Sequence, residues 1–430
     1  MNALEAADAL WRGEAEVAGP PGLDGRMKER INPFVPRGEL VEVAEGTAFV
    51  SAFANVSAFE TKEGLVTIDS GTAFAAPEIL RVLREWSDSR VHTTVFTHGH
   101  LDHVEGIGVF EAEALERDRD PPLVIAHEDI LGRFERCALT PGYNSAINAR
   151  QFGAEVPWPT EYRRPDETYR DETAFEVGGE HFELSHARGE TDDATWIWVP
   201  GRKVLCSGDL IIWCVPNAGN PQKVQRYTRD WAEALREMSG LGAEVLLPGH
   251  GLPVVGAERV EAILTDTAAL LESLHEQTVA VMNEGAPLAE AFERVEAPAE
   301  LLAKPYLRPI YDDPEFVVRN IWRLYGGWYD LDPQSLKPAP AAELGAEVAR
   351  LAGGADVLAE RAAELATAGD LRVAGHLAEL AAAAAPGDAG VHAARAEVNE
   401  QRAMAETSLM GRSIFGAAAR ESRERADNPD

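Results

Sequence analysis

Thr97-His98-Gly99-His100-Leu101-Asp102-His103 places three histidines and an aspartate within six residues, in the order His-x-His-x-Asp-His. Imidazole suits zinc and iron, and a carboxylate beside it suits a hard, water-binding divalent ion. Two metal ions a few ångströms apart need a ligand supply of this kind. The residues before it, His92 to Thr97, are β-rich and read as a strand that ends directly on the motif.

One loop does not hold two ions, so further ligands are expected at later strand ends of the same domain. Three positions fit. Glu190 lies in His186-Ala187-Arg188-Gly189-Glu190-Thr191, Asp209 in Ser207-Gly208-Asp209-Leu210, and His250 in Pro248-Gly249-His250-Gly251. Each follows an apolar stretch that reads as a strand.

Around these positions, Leu40 to about Pro253 alternates short strands with helices, an α/β pattern. Phe49 to Phe59 and Leu65 to Asp69 read as strands. Ala76 to Trp86 reads as an amphipathic helix with Ile79, Leu80, Leu83 and Trp86 on one face. After about Gly256 the strand signals vanish. Val260 to Met282 is a long helical pattern, and Pro305 to Pro338 reads as an aromatic, Pro-rich connector. Ala341–Leu351, Val357–Thr367, Leu371–Ala384 and Gly390–Met404 read as four helices separated by Gly and Pro signals. Two such hairpins resemble a short tetratricopeptide-like array, which fits a packing or dimerisation module. The expected division is an N-terminal arm over 1–38, a catalytic domain over 39–258, a helical domain over 259–420 and a disordered charged tail over 421–430.

Composition narrows the function. The 430 residues suffice for two or three domains, and a net charge of −32 argues against nucleic acid and anionic membranes as partners. Most of the acids read as solubilising surface. Three cysteines, Cys137, Cys206 and Cys214, do not describe a disulfide framework. Met1 to Gly25 does not read as a signal peptide, and no segment reads as a membrane span, so the expected location is the cytoplasm.

The ordered series of His-x-His-x-Asp-His, Gly-Glu-Thr, Gly-Asp and Gly-His resembles the metallo-β-lactamase superfamily. The resemblance implies an αββα sandwich and a dinuclear centre. Carried onto this chain, one ion would take His98, His100 and Glu190. The other would take Asp102, His103 and His250, with Asp209 bridging. The family's usual Gly-His-Thr reads Gly189-Glu190-Thr191 here, so a carboxylate replaces an imidazole. His186, four residues earlier, is the alternative ligand or a hydrogen-bond partner of one. Glutamate at that position marks the alkyl sulfatase branch. Tyr311-Asp312-Asp313-Pro314-Glu315-Phe316-Val317-Val318-Arg319-Asn320, Tyr325-Gly326-Gly327-Trp328-Tyr329-Asp330 and Leu351-Ala352-Gly353-Gly354-Ala355-Asp356 look like that branch as well. The resemblance therefore implies a helical dimerisation domain and a homodimer. The nearest equivalents of the branch's sulfate-binding segments are Tyr143 to Arg150, with Asn144 and Arg150, and Asn217 to Lys223.

The expected cofactors are two divalent ions, Zn²⁺ first, with iron or manganese as alternatives. Such ions lower the pKa of a shared water. Asp102 is expected to orient the nucleophile, Asp209 to hold the ions together and His186 to serve as general acid. Lys223, Arg226 and Arg229 form a basic island in an acidic chain, which reads either as an anion clamp or as a solvated helix start. Trp213, Tyr143, Phe152 and Trp158 read either as an apolar wall for a substrate or as packing. The expected activity is hydrolysis of an alkyl sulfate or related anionic ester, a small molecule. The alternatives are a phosphodiesterase or lactonase of the same fold, or an iron-dependent oxidoreductase. Flavin-linked di-iron members of the superfamily carry Glu where His100 stands, which weighs against the last.

Overall fold

Alternating apolar residues build the first of two stacked sheets. In the computed structural model, which describes residues 1–18 and 30–428, Phe49 faces one core while its neighbours Ala48 and Val50 face another. This period of two, with every residue of the strand buried, is what a sheet covered on both faces requires.

The chain starts with α1 (Ala3–Trp11), whose Asn2 cap and Glu5 form a capping box. The short strands β1 (Glu16–Val17) and β2 (Arg30–Ile31) then pair in parallel. A seven-stranded sheet follows in simple order. It consists of β3 (Glu39–Ala44), β4 (Thr47–Ser51), β5 (Val56–Thr61), β6 (Gly64–Ile68), β7 (Val91–Val95), β8 (Leu123–His127) and β9 (Glu167–Tyr169). It is antiparallel as far as β6 and parallel from β6 to β9. Its crossovers carry α2 (Ala76–Trp86), α3 (Leu101–Val104), α4 (Ile107–Glu116), α5 (Asp129–Leu139) and α6 (Pro141–Phe152). Ile79 and Leu83 of α2, Ile107 and Phe110 of α4, and Ile130 and Phe134 of α5 pack on its outer face.

The second sheet has six strands, β10 (Glu172–Val177), β11 (Glu180–Ala187), β12 (Ala194–Val199), β13 (Val204–Gly208), β14 (Val245–Pro248) and β15 (Val254–Val255), again in sequence order. The sheets meet through rings such as Phe59 and Phe182, edge to face at 5.5 Å. Its outer face is covered by α7 (Thr228–Ser239) and α8 (Ala257–Asn283), with Trp231, Leu235, Ile263, Leu264 and Leu271 fully buried. The result is the expected αββα sandwich.

Several expectations need correction. Phe49 to Phe59 is two strands, because the chain bends at residues 52–55. There Asn55 Nδ2 donates to the carbonyls of Pro248 and Gly251 at 3.1 and 3.2 Å. Residues 1–11 do not form a separate arm, since Ala3, Ala6, Ala9 and Leu10 join the sandwich core. The compact units also divide differently from the expected boundary at 258. One comprises 1–141 and 158–327, the other 142–157 and 328–430. The reason is that α8 buries its apolar face in the same core as the second sheet. That core also takes in α9 (Leu288–Arg294) and residues of the expected connector. α10 (Ala299–Leu302) precedes that connector, and within it α11 (Pro314–Gly326) starts from an Asp313 cap with Pro314 in the first turn.

In the second unit, α12 (Pro333–Leu336) precedes α13 (Ala341–Ala352), α14 (Ala355–Thr367), α15 (Leu371–Ala384) and α16 (Ala389–Ala405), as the spacing predicts. Their contact faces are alanines, among them Ala359, Ala362, Ala374, Ala378 and Ala381. A further helix, α17 (Leu409–Asp427), occupies most of the segment expected as a disordered tail. Ser408 caps it, and Arg423 pairs with Glu400 of α16 at 2.8 Å. Residues 429–430 lie outside the described part. Among the described residues no helix is long and apolar enough to cross a membrane.

Candidate metal centre

Four strands of the sandwich end on the predicted ligands. The motif follows β7, Glu190 follows β11, Asp209 follows β13 and His250 follows β14. Backbone polarity freed at strand ends and the short loops there hold polar side chains without breaking the ladders.

The structure gathers these residues into two groups, His98 with His100 and Asp209, and Asp102 with His103 and His250. His98 Nε2 faces His100 Nδ1 at 2.7 Å and Asp209 Oδ2 at 3.5 Å. His103 Nε2 is 3.4 Å from Asp209 Oδ1, 3.4 Å from His250 Nε2 and 3.8 Å from Asp102 Oδ2. His250 Nε2 is 3.4 Å from both Asp102 Oδ2 and Asp209 Oδ2. Asp209 thus touches both groups.

The far nitrogens of three rings are already engaged. His103 Nδ1 donates to Asp69 Oδ2 at 2.7 Å, and His250 Nδ1 donates to the carbonyl of Phe53. Thr97 Oγ1 donates to Asp69 Oδ2 at 2.8 Å and accepts from His98 Nδ1 at 3.0 Å. Asp209 Oδ1 is buried without a hydrogen-bond partner, a costly state for a carboxylate that a cation relieves. The donor set of imidazoles and carboxylates fits a pair of divalent ions.

Electrostatics prepare the same function. Burial, and then neighbouring positive charge, lowers the pKa values of His98 and His100 well below the usual range, so both stay neutral. Burial opposes ionisation of Asp209, but His250, His103 and His98 hold its pKa well below the usual range. Burial likewise opposes charge on His103 and His250, yet Asp209 and other carboxylates raise both, His250 to about 10. The ion-free pair is therefore cationic at neutral pH. A histidine raised from 6.5 contributes stability that is complete below about 6.5 and lost as pH rises through about 10. Chelator-stripped protein is thus expected to lose melting temperature between pH 7 and 10 more steeply than metal-loaded protein, whose histidines have already released their protons. Parallel melting curves over that range contradict these charge states.

Glu190 is buried. Its Oε1 accepts from Asn217 Nδ2 at 2.6 Å, pairs with Arg226 and lies 4.0 Å from His100 Nδ1. Three predicted residues, Glu190, Asn217 and Arg226, thus form one polar cluster, and Arg226 is a buried residue of the site rather than a solvated helix start. Lys223 Nζ sits 5.7 Å over the Trp158 ring, and burial lowers its pKa to about 8.

His186 is not brought to the site. Its ring stacks on His127 at 3.6 Å, and its Nδ1 donates to the Ala194 carbonyl at 3.0 Å. It joins neither ligand group but lies with His127 and Asp129, because β11 pairs His186 with Thr195 of β12 before the chain turns towards Glu190. Asn144 and Arg150 stand on α6, in the second compact unit. Trp213 is core, with its indole N–H on the Leu252 carbonyl, while Tyr143 and Phe152 are exposed.

Sequence reasoning missed Asp69 and Asp193. Asp69 ends the apolar strand Leu65-Val66-Thr67-Ile68, and a buried acid just after such a run was the available signal. Asp193 Oδ2 accepts from the Gly99 amide at 2.8 Å, which nothing local to Asp193 announces.

Residues 52–250 match the family described as the metallo-beta-lactamase superfamily, and residues 288–425 match alkyl sulfatase dimerisation. A linear primary-alkylsulfatase of Pseudomonas sp. (strain ATCC 19151) is 28% identical over 341 residues, spanning 74% of this chain and 64% of that protein. An (R)-specific secondary-alkylsulfatase of Pseudomonas sp is 26% identical over 403 residues, spanning 86% and 60%. The chain therefore spans less than two thirds of these relatives' length. A solved stereoselective inverting sec-alkylsulfatase from Pseudomonas sp. shares the fold, with a TM-score of 0.81 and 24% identity over 90% of this chain and 65% of that one. By these matches the chain carries a metallo-β-lactamase domain followed by an alkyl sulfatase dimerisation domain.

Proposed function

We propose that the protein is a metal-dependent hydrolase of an alkyl sulfate or a related anionic ester. The observation that carries this reading is the pair of ligand groups joined by Asp209, with the buried Arg226 beside them. Zn²⁺ is the proposed ion at both groups, in keeping with imidazole and carboxylate donors. Bound there, divalent ions lower the pKa of water towards neutrality and offset negative charge on an ester. Glu190 is the proposed third protein ligand beside His98 and His100, and Arg226 and Asn217 fix its carboxylate. Asp102, whose pKa is held near 2 by His103 and His250 against the effect of burial, remains an acceptor at neutral pH and can orient an attacking water. Asn217, Lys223 and Arg226 supply donors for the anionic group of the ester. We further propose that the chain forms a homodimer through its helical region, which the match over residues 288–425 supports.

The test is release of inorganic sulfate from a short and a long alkyl sulfate by the metal-loaded protein, with elemental analysis of the metal. A phosphodiester and a lactone serve as comparison substrates. Sulfate release that depends on metal is expected. Cleavage of the phosphodiester or lactone without sulfate release overturns the reading.

A further inference from the structure

Arg133 has no part in the reading above. It stands on α5 and is only 7% exposed, yet its Nε and Nη1 have no hydrogen-bond partner. The nearest carboxylate oxygens to Nη1 are Asp192 Oδ1 at 3.6 Å and Asp193 Oδ1 at 4.0 Å, both beyond hydrogen-bond distance. Asp192 is engaged by Arg136 at 3.0 Å, and Asp193 holds the Gly99 amide through Oδ2 while its Oδ1 makes no hydrogen bond. A buried guanidinium with unmade bonds is costly unless an acceptor arrives.

Its location says which acceptor. The Arg133 stem lies on Gly99, the residue between His98 and His100, and a Cβ at Gly99 would sit 2.9 Å from Arg133 Cδ. The Arg133 side chain is therefore beside the first ligand group. Arg226 pairs with Glu190, whereas Arg133 has no carboxylate oxygen within hydrogen-bond distance of Nη1. A sulfate ester presents three non-bridging oxygens that share one negative charge, and a guanidinium edge matches two of them. A neutral lactone offers the same donors no charge.

We propose that Arg133 is a substrate-binding residue whose guanidinium donates to a sulfate ester held beside His98 and His100. It thereby selects anionic over neutral esters. The inference rests on the sulfate-ester reading.

The experiment is calorimetric titration of the full-length, metal-loaded protein with 1-hexanesulfonate, in which a C–S bond replaces the scissile ester linkage. Arg133→Gln is expected to weaken binding by about 10- to 100-fold, the span for a lost charge-assisted pair, with metal content unchanged. Arg133→Lys keeps the charge without the fork, and is expected to weaken binding at least about fivefold. Asp192→Asn removes the nearest carboxylate and is expected to leave affinity within about twofold, since that residue does not touch the anion. A purely structural Arg133 gives the opposite pattern: lower melting temperature in both Arg133→Gln and Asp192→Asn, with sulfonate affinity intact wherever the protein folds. If Arg133→Gln does not fold, unchanged affinity in Arg133→Lys overturns the proposal. Wild-type protein that binds no sulfonate while hydrolysing a lactone removes the sulfate-ester reading itself. Wild-type binding with unaffected Arg133 variants removes only this inference.

Discussion

Asp209→Ala is expected to lower kcat/KM for ester hydrolysis by about 1,000-fold or more and to reduce bound metal at both ligand groups, because several kcal/mol of transition-state stabilisation depend on the ions. Asp209 is the carboxylate that faces both groups. One oxygen lies 3.5 Å from His98 Nε2 and 3.4 Å from His250 Nε2, the other 3.4 Å from His103 Nε2. Removing it takes a negative charge from the side of three imidazoles. In the ion-free state this lowers the pKa values of His103 and His250, which Asp209 raises. The remaining ligands cannot compensate, since Asp102 reaches only the second group. Asp209→Asn preserves volume and is expected to fail nearly as badly, because an amide oxygen is a weaker ligand and carries no charge. Elemental analysis and steady-state kinetics check both variants. Two ions per chain with near-normal turnover in Asp209→Ala contradict the shared role.

The second large effect is on stability. Gly106→Ala is expected to cost about 3 kcal/mol, at the upper end for forced overpacking. A Cβ there would lie 2.0 Å from the Ser70 carbonyl oxygen and 2.9 Å from the Ala76 Cβ, and a backbone carbonyl does not swing aside as a side chain does. The contact matters because this is where the metal motif is anchored. The Gly106 amide donates to the Gly71 carbonyl at 2.9 Å, and the Ser70 amide and hydroxyl both donate to the His103 carbonyl, at 2.8 and 3.0 Å. Asp69, one residue before, orients His103. Displacement of Ser70 should therefore also weaken metal binding. Gly108→Ala is the control two residues on, inside α4, where an added Cβ meets nothing within 4 Å. It is expected to stabilise by roughly 0.5–1 kcal/mol through helix propensity. Urea unfolding of the two variants should move the midpoint in opposite directions. Equal shifts contradict close backbone approach as the cause.

The residues that the structure gathers into two groups were legible because metal chemistry constrains residue type as well as spacing. His98, His100, Asp102 and His103 are neighbours in sequence, and Asp209 and His250 each follow an apolar run and a glycine. The residues that orient them were not legible. Asp69 meets His103 across 34 positions, and Asp193 meets Gly99 across 94. Those contacts arise only when strands distant in sequence are paired. His186 shows the converse error. It lies close to Glu190 in sequence, but strand pairing sets it opposite Thr195 and its ring stacks on His127. The tail was misread because its charges suggested solvation, whereas Ser408 caps a helix whose arginines find glutamates one helix away and one turn away.

The amino-acid sequence by itself determined the donor groups of the candidate site and the kinds of element that carry them. Residue type and local period express ligand preference, strand alternation and helical amphipathicity, and none of these needs distant contacts. Tertiary structure alone decided where the units divide, which histidines share a site, and that Arg133 and Arg226 stand beside it. Those outcomes depend on which buried surfaces meet. Apolar faces pair without regard to chain order, and the polar groups they carry inward take whatever partners that pairing brings within a few ångströms.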